Sequence, residues 1–124
     1  MKKLYNQKSK DLLVKKLESE DFNRTTCSFY KYVTIVDPIT FRDEVYEEFD
    51  NLEILGRVYI GEEGMNAQIS VPDKNWGLFL KLISSINLFY DVDIKTAIND
   101  GISFYKLVVK VKKELVAYNI PKNK

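Results

Sequence analysis

Two runs of strand-forming residues, Gly56 to Ile60 and Met65 to Val71, are separated only by Gly61-Glu62-Glu63-Gly64. A connection that short can only turn back on itself, so the runs must pair antiparallel as a hairpin. Successive side chains of a strand point to opposite faces, which divides each run into a core set and an outward set. The outward set is Arg57 and Tyr59 on the first run, then Asn66, Gln68 and Ser70 on the second. A two-stranded hairpin is not stable alone, so the rest of the chain must cover its apolar side and extend its edges.

The flanking sequence supplies such partners. Thr25 to Ile35 is β-branched and aromatic, as in a half-buried strand. Asp37-Pro38 places an N-cap before an N1 proline, and Ile39, Phe41, Val45 and Phe49 form the expected buried stripe of a helix ending near Asn51. Its acids, Asp43, Glu44, Glu47, Glu48 and Asp50, fall largely on the wet side. Pro72-Asp73 ends the second hairpin strand and opens another helix, with Trp76, Phe79, Leu80 and Ile83 inward and a stop near Asn87. Val92 to Ile98 is a weaker strand, Asn99-Asp100-Gly101 a turn, and Ser103 to Val111 a strand whose outward residues are Phe104, Lys106, Val108 and Lys110. Ser9 caps a further helix to about Glu20, with Leu12, Leu13 and Leu17 on one side.

The order strand, helix, strand, strand, helix, strand is the βαββαβ pattern of an α+β, ferredoxin-like (acylphosphatase-like) two-layer sandwich, here with an extra strand and an additional N-terminal helix. Residues 1–24 are expected to form that amphipathic helix and a linker, and residues 25–117 the sandwich. Residues 118–124, with Pro121 and a polar end, are expected to begin a second linker.

A chain of 124 residues, 45% hydrophobic and 30% charged, suits one soluble domain. No apolar run approaches the roughly 20 residues that span a bilayer, and no apolar segment follows Lys2-Lys3, so a cytoplasmic protein without membrane contact is expected. A single cysteine, Cys27, and no histidine exclude an internal disulfide and a CxxC pair, and remove the commonest metal ligand and general base. No metal, cofactor or catalytic residue is expected. Cys27 reads as a small core residue, because nothing nearby would lower its pKa. Glu62 and Glu63 are adjacent on a turn, point apart and lack a partner base. Gly56, Gly61 and Gly64 precede a strand and no Lys-Ser or Lys-Thr pair, so they make no phosphate loop. An acylphosphatase places an arginine in a glycine-rich loop between its first strand and first helix. The connection here, Val36-Asp37-Pro38-Ile39, has neither, and Arg42 lies about a turn inside the helix.

Charge is unevenly spread despite a net +1. Residues 1–16 hold six lysines against Asp11, Asp37 to Glu63 hold nine acids against Arg42 and Arg57, and Phe104 to Lys124 holds six lysines against Glu114. Solvated lysine is the plain reading, but ends that meet in space would make a basic surface opposite an acidic one. The outward side of the sheet would then mix Tyr30, Tyr32 and Tyr59 with Arg57, Lys106, Lys110 and Lys112. Unpaired bases stack on aromatic rings while cations hold the backbone, so this mixture suits RNA. The same face could instead dock another domain or protein.

The run Gly56 to Ser70, with Ser28-Phe29-Tyr30-Lys31-Tyr32 before it and Phe104-Tyr105-Lys106-Leu107 to Ile120-Pro121 after it, resembles the N-terminal domain of the rhodanese-containing tRNA uridine hydroxylases. The resemblance runs roughly from Thr25 to Pro121, with motif residues Gly56, Arg57, Glu63, Gly64, Asn66 and Ser70; Gly61 and Met65 replace a commoner alanine and isoleucine. It implies a parent enzyme that hydroxylates the wobble uridine of tRNA to 5-hydroxyuridine, using oxygen and a cysteine in a covalently linked rhodanese domain absent from this sequence. It implies for these residues a noncatalytic role, with tRNA as the expected partner.

Overall fold

The computed structural model describes residues 9–86, 89, 91–97 and 104–113. In chain order these form α1 (Lys10–Glu18), β1 (Arg24–Tyr32), α2 (Pro38–Asn51), β2 (Leu55–Gly61), β3 (Gly64–Pro72), α3 (Trp76–Ser85), β4 (Lys95–Ala97) and β5 (Leu107–Val111). The five strands make one sheet in the order β4-β1-β3-β2-β5. Every pairing is antiparallel except β2 with β5, which run parallel. This is the expected α+β sandwich, with β5 as the added strand outside β2.

One side of the sheet is apolar because the inward set is apolar on every long strand. Cys27 and Phe29, Val58 and Ile60, Met65, Ala67 and Ile69, and Leu107 and Val109 pack against Val45, Tyr46 and Phe49 of α2 and Phe79 and Ile83 of α3. Burying such side chains contributes about 1.5–3 kcal/mol each, the main driving force for docking both helices on this side. The helix starts follow their caps. The Ser9 hydroxyl oxygen accepts the Leu12 N–H at 3.3 Å, and an Asp37 carboxylate oxygen accepts that of Thr40 at 3.3 Å. Hydrogen bonds from Thr40, from its side chain and then its backbone, hold the Asp37 carboxyl below its ordinary pKa.

The hairpin closes as the glycine-bounded turn requires, with Gly61 opposite Gly64. Gly64 has φ +144°, and a Cβ there would fall on the Lys31 carbonyl oxygen of β1. Gly56 has φ +133°, and its Cβ would meet the β3 backbone at Gln68 and Ile69. Both sites exclude any side chain, so these two motif glycines are explained by close strand packing.

Several expected boundaries and faces shift. β1 stops at Tyr32, and the Val33 and Ile35 N–H groups donate instead to the carbonyls of Glu63 and Glu62 in the hairpin turn. A 3-10 turn, Asp73–Asn75, precedes α3, and the Asp73 carboxylate accepts the Thr25 hydroxyl at 2.6 Å instead of capping the helix. The last strand begins at Leu107, and within the expected Val92 to Ile98 strand only Lys95–Ala97 is a strand. Leu12, Ile39 and Leu80 are 59%, 62% and 39% exposed. Leu12 and Leu80 each sit about 100° round the helix from a buried neighbour, Leu13 and Phe79; Ile39, in the first turn of α2, stays exposed although Tyr46, seven residues on and on nearly the same side, is buried. The expected turn at Asn99-Asp100-Gly101 and everything after Lys113 fall outside the described residues.

Helix α1 is fastened to the sheet by one arginine. Arg24, 4% exposed, donates from Nε and Nη2 to the two carboxylate oxygens of Glu20, both at 2.8 Å, and from Nη1 to the Ser70 carbonyl at 3.0 Å. Leu13 and Leu17 are buried beneath it, and they share a cleft with Tyr46 of α2, Leu55 of β2 and Leu107 of β5.

Candidate functional site

Strand register decides which outward residues become neighbours. Directly paired residues share a face, so Tyr30, Asn66, Tyr59 and Lys110 form one row across four strands. Ser28, Gln68, Arg57 and Val108 form the row beside it. At about 4.8 Å per strand, each row spans roughly 14 Å. Sequence alternation alone thus puts all the expected outward residues of β1, β2, β3 and β5 on the side away from α2 and α3.

Arg57, Lys106 and Lys110 are exposed, and among the described residues none of the three forms an ion pair. Arg57 lies over the Phe104 ring at 5.5 Å, and Lys112, half-buried, lies over Tyr59 at 5.1 Å. Tyr30 and Tyr32 are 39% and 49% exposed and meet edge to face at 5.6 Å. The face therefore presents aromatic rings at the β1 side and cations at the β5 side. Lys10 of α1 lies over Tyr105 at 5.5 Å. The exposed acids Glu44, Glu47, Glu48 and Asp50 belong to α2, in the layer behind the sheet.

Two outward residues are not surface groups. Asn66 and Ser70 are 5% and 3% exposed, and their expected accessibility is corrected here. Asn66 sits between Tyr30 and Tyr59, and Ser70 between Thr26 and Leu55, so larger cross-strand neighbours shade both. Glu63 is half-buried in the hairpin turn, and its carbonyl accepts the Val33 N–H at 3.0 Å.

The sequence reading missed a cleft of about 610 Å³ beside the aromatic end of the face, between β1, β3 and residues 91–95. Its lining includes Ser28, Tyr30, Asn66, Gln68, Asp91 and Lys95. Asp91 pairs with Lys31 at 2.7 Å, and hydrogen bonding to that lysine holds the Asp91 carboxyl below its ordinary pKa. No signal in the sequence marks this cleft, because its far wall comes from an irregular segment some 60 residues after β1.

Elsewhere the chemistry is sparse. Burial pushes the Cys27 thiol up to about 12, which leaves it unreactive. Arg42 pairs with Asp43 at 2.9 Å, and Asp37 is occupied with its cap, so the β1–α2 connection holds no arginine poised for an acyl phosphate. Among the described residues no group of three potential ligands could hold a metal, and no helix is long and apolar enough to cross a membrane.

Comparison with known proteins gives three kinds of match. The family described as UPF0176 acylphosphatase like domain matches residues 24–115. The chain is 46% identical over 115 residues to the tRNA uridine(34) hydroxylase of Leptospira interrogans, covering 92% of this chain and 31% of the relative. It is 43% identical over 119 residues to that of Escherichia fergusonii, covering 94% and 34%. The chain thus spans about a third of the length of these relatives. Among solved structures it is similar in fold to HypF in its phosphate- and nucleotide-bound form, with TM-score 0.56 and 13% identity over 75% of this chain and 13% of that one. It is also similar to BlrB, a BLUF protein in its dark state, with TM-score 0.52 and 13% identity over 72% and 74% of the two chains.

Proposed function

Since this chain belongs to the UPF0176 acylphosphatase like domain family, we propose that it is the noncatalytic, tRNA-binding domain of a tRNA uridine hydroxylase, cytoplasmic and joined in the full-length protein to a rhodanese domain that carries the chemistry. The observation that carries this reading is the sheet face, which exposed Arg57, Lys106 and Lys110 share with exposed Tyr30 and Tyr32. Cations neutralise phosphates and release their counterions, while tyrosines offer planes to unpaired bases. Lys112 and Tyr59 complete the set of contacts. The domain holds the anticodon arm, and its own side chains offer neither a reactive thiol nor a histidine.

Binding of this chain to an anticodon stem-loop RNA, measured across salt concentrations, tests the proposal. Affinity is expected to fall steeply with salt, and Arg57→Ala or Lys106→Ala to weaken binding and reduce the log–log slope by roughly 0.7 for each lost contact. Unchanged affinity in both variants overturns the reading. Half-buried Leu55 and Val108 on the same face favour a second reading, docking of another domain or protein, which would be nearly insensitive to salt.

A further inference from the structure

We infer that the cleft between β1, β3 and residues 91–95 holds one unpaired nucleobase of a bound RNA strand, stacked on Tyr30 and met at its edge by the Asn66 and Gln68 amides. The inference rests on the RNA-binding reading and adds to it a base-binding pocket.

The cleft's chemistry argues for a neutral, polar, flat ligand. Among the described residues the side chains of Ser28, Asn66 and Gln68 enter no hydrogen bond with the rest of the fold. Nor, among the described residues, does any fully buried side-chain nitrogen or oxygen lack a hydrogen bond. Asn66, 5% exposed, is among the residues that line the cleft. An amide presents a donor beside an acceptor, as does the Watson–Crick edge of a base. Tyr30 stands directly opposite Asn66, and its ring supplies the stacking plane.

A phosphate does not suit the interior. The cationic groups near the cleft are each matched to a carboxylate, Lys31 to Asp91 at 2.7 Å and Lys95 to Asp93 at 3.7 Å. Cations without an ion pair stand outside it: Arg57 is one strand over from Gln68, and Lys110 is one strand beyond Tyr59. A strand with its base in the cleft would lay its backbone towards these groups. The volume, about 610 Å³, is within the range of small-molecule sites.

The test uses three probes with this chain: an oligouridylate of eight residues, an abasic ribose-phosphate oligomer of the same length, and free uridine. Tyr30→Ala and Asn66→Ala are expected to weaken octamer binding roughly tenfold or more, with the salt slope unchanged because no phosphate contact is lost. The abasic oligomer should bind weakly and not distinguish these variants from the parent. Tyr30 is exposed, so its replacement reports on binding even where Asn66→Ala disturbs folding. If both variants bind the octamer as the parent does while Arg57→Ala weakens it, the base pocket is overturned and the RNA-binding reading stands. If the parent binds neither oligomer, both fall. Free uridine binding as tightly as the octamer would assign the cleft to a free nucleoside and overturn the inference.

Discussion

At the scale of single residues, the motif separates into positions that build the sheet and positions that face outward. Gly56 and Gly64 belong to the first group, since each lies at positive φ with neighbouring backbone where a Cβ would go. Gly64→Ala and Gly56→Ala are each expected to destabilise the protein by about 3 kcal/mol, read as a lowered denaturation midpoint at constant m-value. Gly77 is the contrast: a Cβ there meets nothing within 4 Å, and Gly77→Ala should stabilise α3 by about 0.5 kcal/mol. Equal effects at all three positions would contradict the close-approach explanation. Arg57 belongs to the second group, and alternation within its strand was enough to orient it. Asn66 shows where alternation stops informing: it gives the face of a residue but not the bulk of the tyrosines on the strands at either side.

At the scale of elements, the strands were legible because a hairpin with a two-residue tip fixes register and face together. The helices were legible in existence and less so in orientation. Leu12, Ile39 and Leu80 looked inward because they are apolar and near the stripe, yet a small sheet leaves room for only a narrow contact, and they remain exposed. Residues 92–98 were read as strand throughout, and the irregular start of that segment, with Asp91 before it, supplies the cleft wall. The attachment of α1 was also hidden, since Glu20 was read as the end of the helix and Arg24 as part of the linker after it. Removing one partner of a buried pair leaves the other's charge without its counter-charge, so Glu20→Ala should lower stability by about 3 kcal/mol. The same variant should expose residues 19–23 to proteolysis, and Glu20→Ala cleaved no faster than the parent would show that α1 is held by its leucines alone.

At the scale of the whole molecule, the two layers carry opposite charge: arginine and lysine on the open side of the sheet, and carboxylates on the far side of α2. Such a division orients a polyanion before contact. Lys110→Gln is expected to reduce the salt slope of RNA binding by roughly 0.7, whereas Glu44→Gln with Glu48→Gln should leave that slope as it was. Equal slopes for the lysine variant and the parent would locate the contacts elsewhere.

The parallel placement of β5 beside β2 carries a consequence in time. Lys106, Lys110 and Lys112 all arrive with the last described strand and its flanks, some 50 residues after the Arg57 they join. A growing polypeptide that has not yet reached Lys106 has the hairpin and the tyrosines but one cation of the four. Contacts so distant in sequence form late, so on the ribosome, amid abundant RNA, the surface that would bind RNA comes into being only as the domain finishes folding.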